Sequence, residues 1–270
     1  AFTLADFGLT GTPGEPSKYQ LIRWARGEDV RDEDNNPATN VRNVMGDPLH
    51  SQPAAIVYGG TAANPDSVIY VATNDGYLHA ISGITGEELW AFIPKELLSN
   101  LTRLYFDPNA KYKQYGIDGS VVPVVRDANK NGIIDGTDFV YLVFGMRRGG
   151  NSYYALDVTN KNAPRLMWLA SYPEMGESWS SPVVSRMFIS GESQNAEKAV
   201  IVVGGGYDTT HDTDVHPNTP DGVGAGVHIL DLMTGNELWR AGIDAGADLQ
   251  LPMMTRSIAT DVRVIDLNGN

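Results

Sequence analysis

The stretch Val71-Ala72-Thr73-Asn74-Asp75-Gly76-Tyr77-Leu78-His79-Ala80-Ile81, closed by Ile84-Thr85-Gly86-Glu87-Glu88-Leu89-Trp90, decides the fold because it recurs. Met233-Thr234-Gly235-Asn236-Glu237-Leu238-Trp239 repeats its end 149 residues later, and at that offset His79 falls on His228 and Ala80-Ile81 on Ile229-Leu230. A looser copy lies between them: Tyr153-Tyr154-Ala155-Leu156-Asp157-Val158, a polar turn from Thr159 to Pro164, then Leu166-Met167-Trp168. An apolar run precedes each copy, at Val68–Val71, Phe139–Phe144 and Ala199–Val203. Each run is in turn led by a small-residue and proline segment: Ser51-Gln52-Pro53, Ser120-Val121-Val122-Pro123 and Ser180-Ser181-Pro182. Short β-branched and aromatic runs punctuated by Gly, Asn and Asp are strands. Four of them per repeat, ending in Trp, is the pattern of a propeller blade.

The spacing predicts an all-β chain, a β-propeller of four-stranded antiparallel blades at about 50–94, 118–171 and 179–243, with a further blade starting over 257–270. Three and a quarter blades do not close a ring of four to eight, so a larger ring is expected, completed by the remainder of the same polypeptide. Residues 1–49 read as a linker, with a short helix over Lys18–Arg26 capped by Ser17 and presenting Tyr19, Ile22 and Leu21. Residues 28–36 are expected to form a solvated acidic loop, and Pro94 to open a short inter-blade helix.

Composition narrows the function. A net charge of −13 argues against a nucleic-acid backbone as partner, since little cationic surface is available to release counterions. Zero cysteines exclude disulfides, thiolate nucleophiles and thiolate zinc sites. No apolar run reaches the 18 or so residues of a membrane span, and no signal-peptide pattern opens the chain.

The sharpest chemical signal is Asp127-Ala128-Asn129-Lys130-Asn131-Gly132-Ile133-Ile134-Asp135-Gly136-Thr137-Asp138. Oxygen-bearing side chains stand at loop positions 1, 3, 5, 9 and 12, with Gly at 6 and an aliphatic residue at 7, the spacing by which an EF-hand-type loop wraps Ca2+. Asp127, Asn129, Asn131, the Ile133 carbonyl and Asp135 are the expected ligands. Asp138 replaces the usual Glu, so either Asp135 closes the site with Asp138 supporting it, or Asp138 closes it. The bland reading is a metal-free Asx-rich turn. Asp266, Asn268 and Asn270 repeat positions 1, 3 and 5 after the first strand of the next blade. That second loop stops before a closing carboxylate and is expected to hold calcium poorly.

Other constellations are weaker. His211-Asp212-Thr213-Asp214-Val215-His216 matches no zinc spacing and reads as a surface loop. His79 and His228 hold equivalent strand positions and read as packed residues. The glycine runs Gly204–Gly206 and Gly222–Gly226 match neither dinucleotide nor phosphate loops. Arg147-Arg148-Gly149-Gly150 reads as a basic turn, and Trp90, Trp168 and Trp239 as inter-blade locks. No catalytic constellation stands out.

The blade repeat, with Thr85-Gly86 before Trp90, resembles the tryptophan-docking repeat of quinoprotein-type propellers. Trp24-Ala25-Arg26-Gly27-Glu28-Asp29, then Arg42, Gly46-Asp47 and His50-Ser51-Gln52-Pro53, resembles the lead-in to the first blade of PilY-type proteins, and Asp127–Asp135 resembles their nine-residue calcium loop. The resemblance implies a segment of a modified seven-bladed propeller that is non-enzymatic and exported through the periplasm to the pilus tip or outer-membrane surface. It implies partners among pilus components such as minor pilins, or on a host surface. In that family calcium is linked to pilus extension and retraction, and adhesion to a separate N-terminal region. Two rivals use similar repeats: a quinone-dependent dehydrogenase, whose usual adjacent Cys pair is missing here, and a periplasmic outer-membrane assembly scaffold.

Overall fold

The computed structural model describes residues 2–42, 44–107, 113–189, 197–213 and 219–265. Three antiparallel meanders follow one another along the chain. Blade 1 comprises β1 (Ala54–Thr61), β2 (Asn64–Ala72), β3 (Leu78–Ser82) and β4 (Glu88–Phe92). Blade 2 comprises β5 (Val121–Arg126), β6 (Phe139–Gly145), β7 (Tyr153–Asp157) and β8 (Arg165–Ala170). Blade 3 comprises β9 (Val183–Met187), β10 (Lys198–Gly204), β11 (Gly226–Asp231) and β12 (Glu237–Gly242). Within each blade, sequential strands pair in order, as a propeller blade requires.

Burial follows from each blade's place in the stack. Blade 2 is covered on both faces, so β6 reads as the unbroken apolar run Val140-Tyr141-Leu142-Val143-Phe144, all buried. Over its first residues β1 of blade 1 alternates instead, with Ala54 and Ile56 buried and Ala55 and Val57 exposed, as a strand covered on one face should. Two apolar cores lie between blades. The first joins Tyr70, Leu78 and Ala80 of blade 1 to Leu142, Phe144 and Leu156 of blade 2. The second joins Val143, Tyr153 and Trp168 of blade 2 to Ile201, Val203 and Leu230 of blade 3.

The repeated Trp locks these cores. Trp90 Nε1 donates to the Lys161 carbonyl (2.7 Å), and Trp168 Nε1 to the Leu232 carbonyl (2.8 Å). Each donor therefore reaches the turn between the third and fourth strands of the following blade. Each blade also carries a register shift between its third and fourth strands beside the Trp, at Ala80/Ile81, Ala155/Leu156 and Ile229/Leu230. Such a bulge adds local twist and re-aims the neighbouring side chain.

The ends of the chain depart from expectation. The helix forms as α1 (Lys18–Ala25), with a full capping box between Ser17 and Gln20. Its buried face is Leu21 and Trp24, while Tyr19 is 70% exposed, because the helix docks through its other side onto α2 (Asn100–Phe106). Residues 2–16 are not simply linker: Phe7 and Leu9 are buried in that same small core. The inter-blade segment after Pro94 forms a 3-10 turn, Lys95–Leu97, before α2. Blade 3 gains a short fifth strand, β13 (Leu249–Gln250), parallel to β12. Of the expected blade start, residues 266–270 lie outside the described residues, and residues 257–265 carry no strand. The segment instead lies across the end of blade 3, where Ile258 N–H donates to Gly224 and its carbonyl accepts from Gly206.

Candidate metal centre

The 127–138 loop joins β5 to β6. Its side chains fold onto their own backbone as a succession of Asx turns. The Asp127 carboxylate accepts from the amides of Asn131 (3.2 Å) and Gly132 (2.8 Å). Asn129 Oδ1 accepts from Asn131 N (3.0 Å), and Asn131 Oδ1 from Ile133 N (2.8 Å). The tight path requires left-handed backbone at Gly132 (φ 76°) and at Lys130 (φ 58°). These bonds set the three side chains before any ligand arrives, and each oxygen keeps acceptor capacity for a cation.

The two carboxylates at the end of the loop differ. Asp138 is buried and accepts with one oxygen from Ala128 N (2.8 Å) and with the other from Asp135 N (3.1 Å). The amides of Ala128 and Asp135 hold its carboxyl below the usual range. It thus fastens the two ends of the loop together. Asp135 is exposed and its carboxylate accepts no hydrogen bond from the described residues. An all-oxygen set with two carboxylates, two amides and a backbone carbonyl fits a hard divalent cation. Asp266, Asn268 and Asn270 lie outside the described residues.

The loop also touches the neighbouring blade. Ile134 N–H donates to the Tyr58 carbonyl at 3.0 Å, and Ile134 packs on the first inter-blade core. Tyr58 is the extra residue in the register shift of β1 between Val57 and Gly59. Its hydroxyl donates to the Val158 carbonyl (2.8 Å) and shares a 2.6 Å hydrogen bond with Tyr70.

The weaker constellations are placed as follows. His79 Nδ1 meets Glu88 at 2.6 Å and His228 Nδ1 meets Glu237 at 2.6 Å, the same cross-strand pair in two blades. Arg148 pairs with Asp212 (2.6 Å), and His211 Nε2 with Asp221 (3.0 Å). Asp214 and His216 lie outside the described residues. The two glycine runs pack on each other: a Cβ on Gly205 would come within 2.4 Å of the Gly224 carbonyl, so their role is close backbone approach. Asp221 also accepts from Ser257 N (2.7 Å) and Arg256 (3.0 Å). Burial opposes ionisation, yet His211, Ser257 and Arg256 together hold Asp221 well below the usual carboxylate range. A depressed folded value gives stability that is complete above the unfolded value of ~3.9 and lost as pH falls through the folded one. The Ser257 amide resonance is therefore expected to hold its docked position down to about pH 4 and to shift only below it.

Two groupings escaped the linear reading. Asp29, Asp32 and Asp34 bring one oxygen each within 4.8 Å of one another in the exposed lead-in; the Asp-x-x-Asp-x-Asp spacing was their only signal. At the end of the stack, fully buried Asp118 accepts from Asn74 Nδ2 (3.1 Å), with His50 Nδ1 at 2.7 Å and Arg147 Nε at 3.7 Å. The Arg147 guanidinium lies 4.7 Å over the Trp179 ring, which stacks on Tyr207 at 4.6 Å. No local motif could have revealed this row, whose six members come from six separate segments between or before the strands.

The fold and loop define a class: a propeller segment of tryptophan-docked blades with an acidic Asx loop between the first two strands of its second blade. No family profile matches the chain. It is 29% identical over 240 residues to a type IV pilus biogenesis factor PilY1 homolog of Xylella fastidiosa, covering 75% of this chain and 19% of that protein. It is 30% identical over 231 residues to the type IV pilus biogenesis factor PilY1 of Pseudomonas aeruginosa strain UCBPP-PA14, covering 76% and 19%. Among solved structures, the C-terminal domain of P. aeruginosa PilY1 is 28% identical over 67% of this chain and 31% of that one, with a TM-score of 0.40. The chain is similar to PilY-type proteins over about three quarters of its length, and spans about a fifth of the length of the curated relatives it matches. No helix among the described residues is long and apolar enough to cross a membrane.

Proposed function

We propose that this segment is a non-enzymatic calcium-binding propeller module of a pilus-associated surface protein, acting in pilus biogenesis and adhesion. The observation that carries the calcium part is the preset loop, in which Asp127, Asn129 and Asn131 are already turned by backbone amides and Asp138 clasps the ends. Asp127, Asn129, Asn131, the Ile133 carbonyl and Asp135 would hold the ion, with Asp138 as the clasp behind them. Calcium would neutralise Asp127 and Asp135 and fix the turn between β5 and β6. Extracellular modules bind at about 10⁻⁴–10⁻³ M, which suits an exported protein at the pilus tip or outer-membrane surface. The relatives' role in type IV pilus biogenesis supports pilus components such as minor pilins, or a host surface, as the partners.

The test is calorimetric titration of calcium into calcium-free full-length protein, wild type against Asp127→Ala. Saturable heat in the wild type and at least about a hundredfold weaker binding in the variant are expected, since a charged ligand at position 1 and its two turn bonds are lost together. Absence of heat in the folded wild type would reduce the loop to a turn.

A further inference from the structure

The hydrogen bond from Ile134 to Tyr58 bears on how the loop would hold its ion. The Ile133 carbonyl and the Ile134 amide belong to one peptide unit, which is planar and trans, so they point in opposite directions. Ile134 N–H is fixed on the Tyr58 carbonyl of blade 1 at 3.0 Å. The Ile133 carbonyl is thereby aimed away from blade 1.

Tyr58 can serve as this anchor for two reasons visible in the sheet. As the extra residue of the register shift, it has no register partner in β2, and its carbonyl accepts from Ile134. Its side chain is buried, and its hydroxyl is bound to both Tyr70 of blade 1 and Val158 of blade 2. The anchor is therefore rigid. Around it, Ile133 lies against Gly59, where an added Cβ would stand 3.7 Å from the Ile133 methyl, and Ile134 is seated in the inter-blade core.

We propose that Tyr58 is a positioning residue for the calcium loop, and that calcium occupancy and the packing of blade 1 on blade 2 are thermodynamically coupled through the 133–134 peptide. The coupling rests on the calcium reading above. A cation on the Ile133 carbonyl polarises the shared peptide and makes Ile134 N–H a stronger donor to Tyr58. By linkage, an inter-blade contact strengthened by the ion strengthens the ion's own binding to the same degree. The blade 1–2 seam thus reports the state of a loop that belongs to blade 2.

The experiment combines calcium titration with hydrogen exchange on the full-length protein. In the wild type, calcium is expected to slow exchange in peptides covering residues 54–61 by about fivefold or more, while peptides of β10 stay unchanged. Ile134→Pro, which removes the one amide, is expected to weaken calcium binding about tenfold and abolish the slowing in blade 1; Ile134→Val, which keeps the amide, should match wild type. Calcium heat that Asp127→Ala removes, with blade 1 exchange indifferent to the ion, would overturn the coupling and leave the calcium site standing. No calcium heat in the wild type would overturn both. Should Ile134→Pro fail to fold, the wild-type exchange comparison decides alone.

Discussion

Replacing Trp168 by Ala is expected to loosen blade 2 from blade 3 by about 3–5 kcal/mol, the range for removing a large buried aromatic side chain. Trp168 is only 6% exposed, sits within the second inter-blade core and donates to the Leu232 carbonyl. Removal therefore opens a cavity and strands a carbonyl acceptor. The blades cannot collapse into the space, because Gly235 already presses its backbone on the indole: a Cβ there would stand 2.7 Å from the ring. Gly235 also has φ +71°, so its backbone is held in a shape that other residues rarely adopt. At 1.36 kcal/mol per decade, exchange of the β8 and β11 amides should accelerate by about two to four decades if these amides exchange through separation of the blades. An effect below one decade would mean that the indole is not the lock.

Asp118→Ala is the second large effect, expected to cost about 3 kcal/mol through the loss of a fully buried carboxylate from a charge network. Asp118 is the shared acceptor of Asn74 and the near anion of Arg147, whose Nε is buried and has no hydrogen-bond partner among the described residues. Its removal leaves the Arg147 guanidinium without an ion-pair partner among the described residues, while Asn74 Nδ2 keeps the carbonyl and carboxylate of Asp47 as acceptors. His50, with a side chain 41% exposed, can return to water, so the cost falls at the low end of the range for a broken buried pair. Asp118→Asn keeps an acceptor for Asn74 and should recover part of the loss. Thermal unfolding monitored by near-ultraviolet dichroism of the aromatic end cluster, which includes Trp179, would read both variants, and equal destabilisation would show that the carboxylate charge, not the acceptor or the shape that Asn keeps, carries the whole effect.

The Asx turns of the 127–138 loop were legible because the hydrogen bonds that form them are local. Asp127 binds amides four and five residues ahead, and Asn129 and Asn131 bind amides two ahead. Such contacts follow from residue type and spacing alone. The backbone contacts of Asp138 needed coordinates. Asp138 looks backward to Ala128 with one oxygen, while its other oxygen takes the Asp135 amide, and spacing cannot tell a clasp from a ligand. One position of the helix face was missed for a similar reason: Leu21 is buried and Ile22 packs on the small core as expected, but Tyr19 is exposed and Trp24 is buried, because the position of α2 decides which side is covered.

The sequence by itself determined the blades, their order, the recurring Trp and the composition of the acidic loop, because repetition and short-range turn chemistry are written at fixed offsets along the chain. Tertiary structure alone decided that Tyr58 receives Ile134 across 76 residues, that Asp118 gathers His50, Asn74 and Arg147, and that Ile258 bonds with Gly206 and Gly224 of blade 3. These depend on which surfaces meet when the blades stack. A strand or carbonyl takes its partner from that packing, so residues distant in sequence acquire a relation that no local pattern encodes.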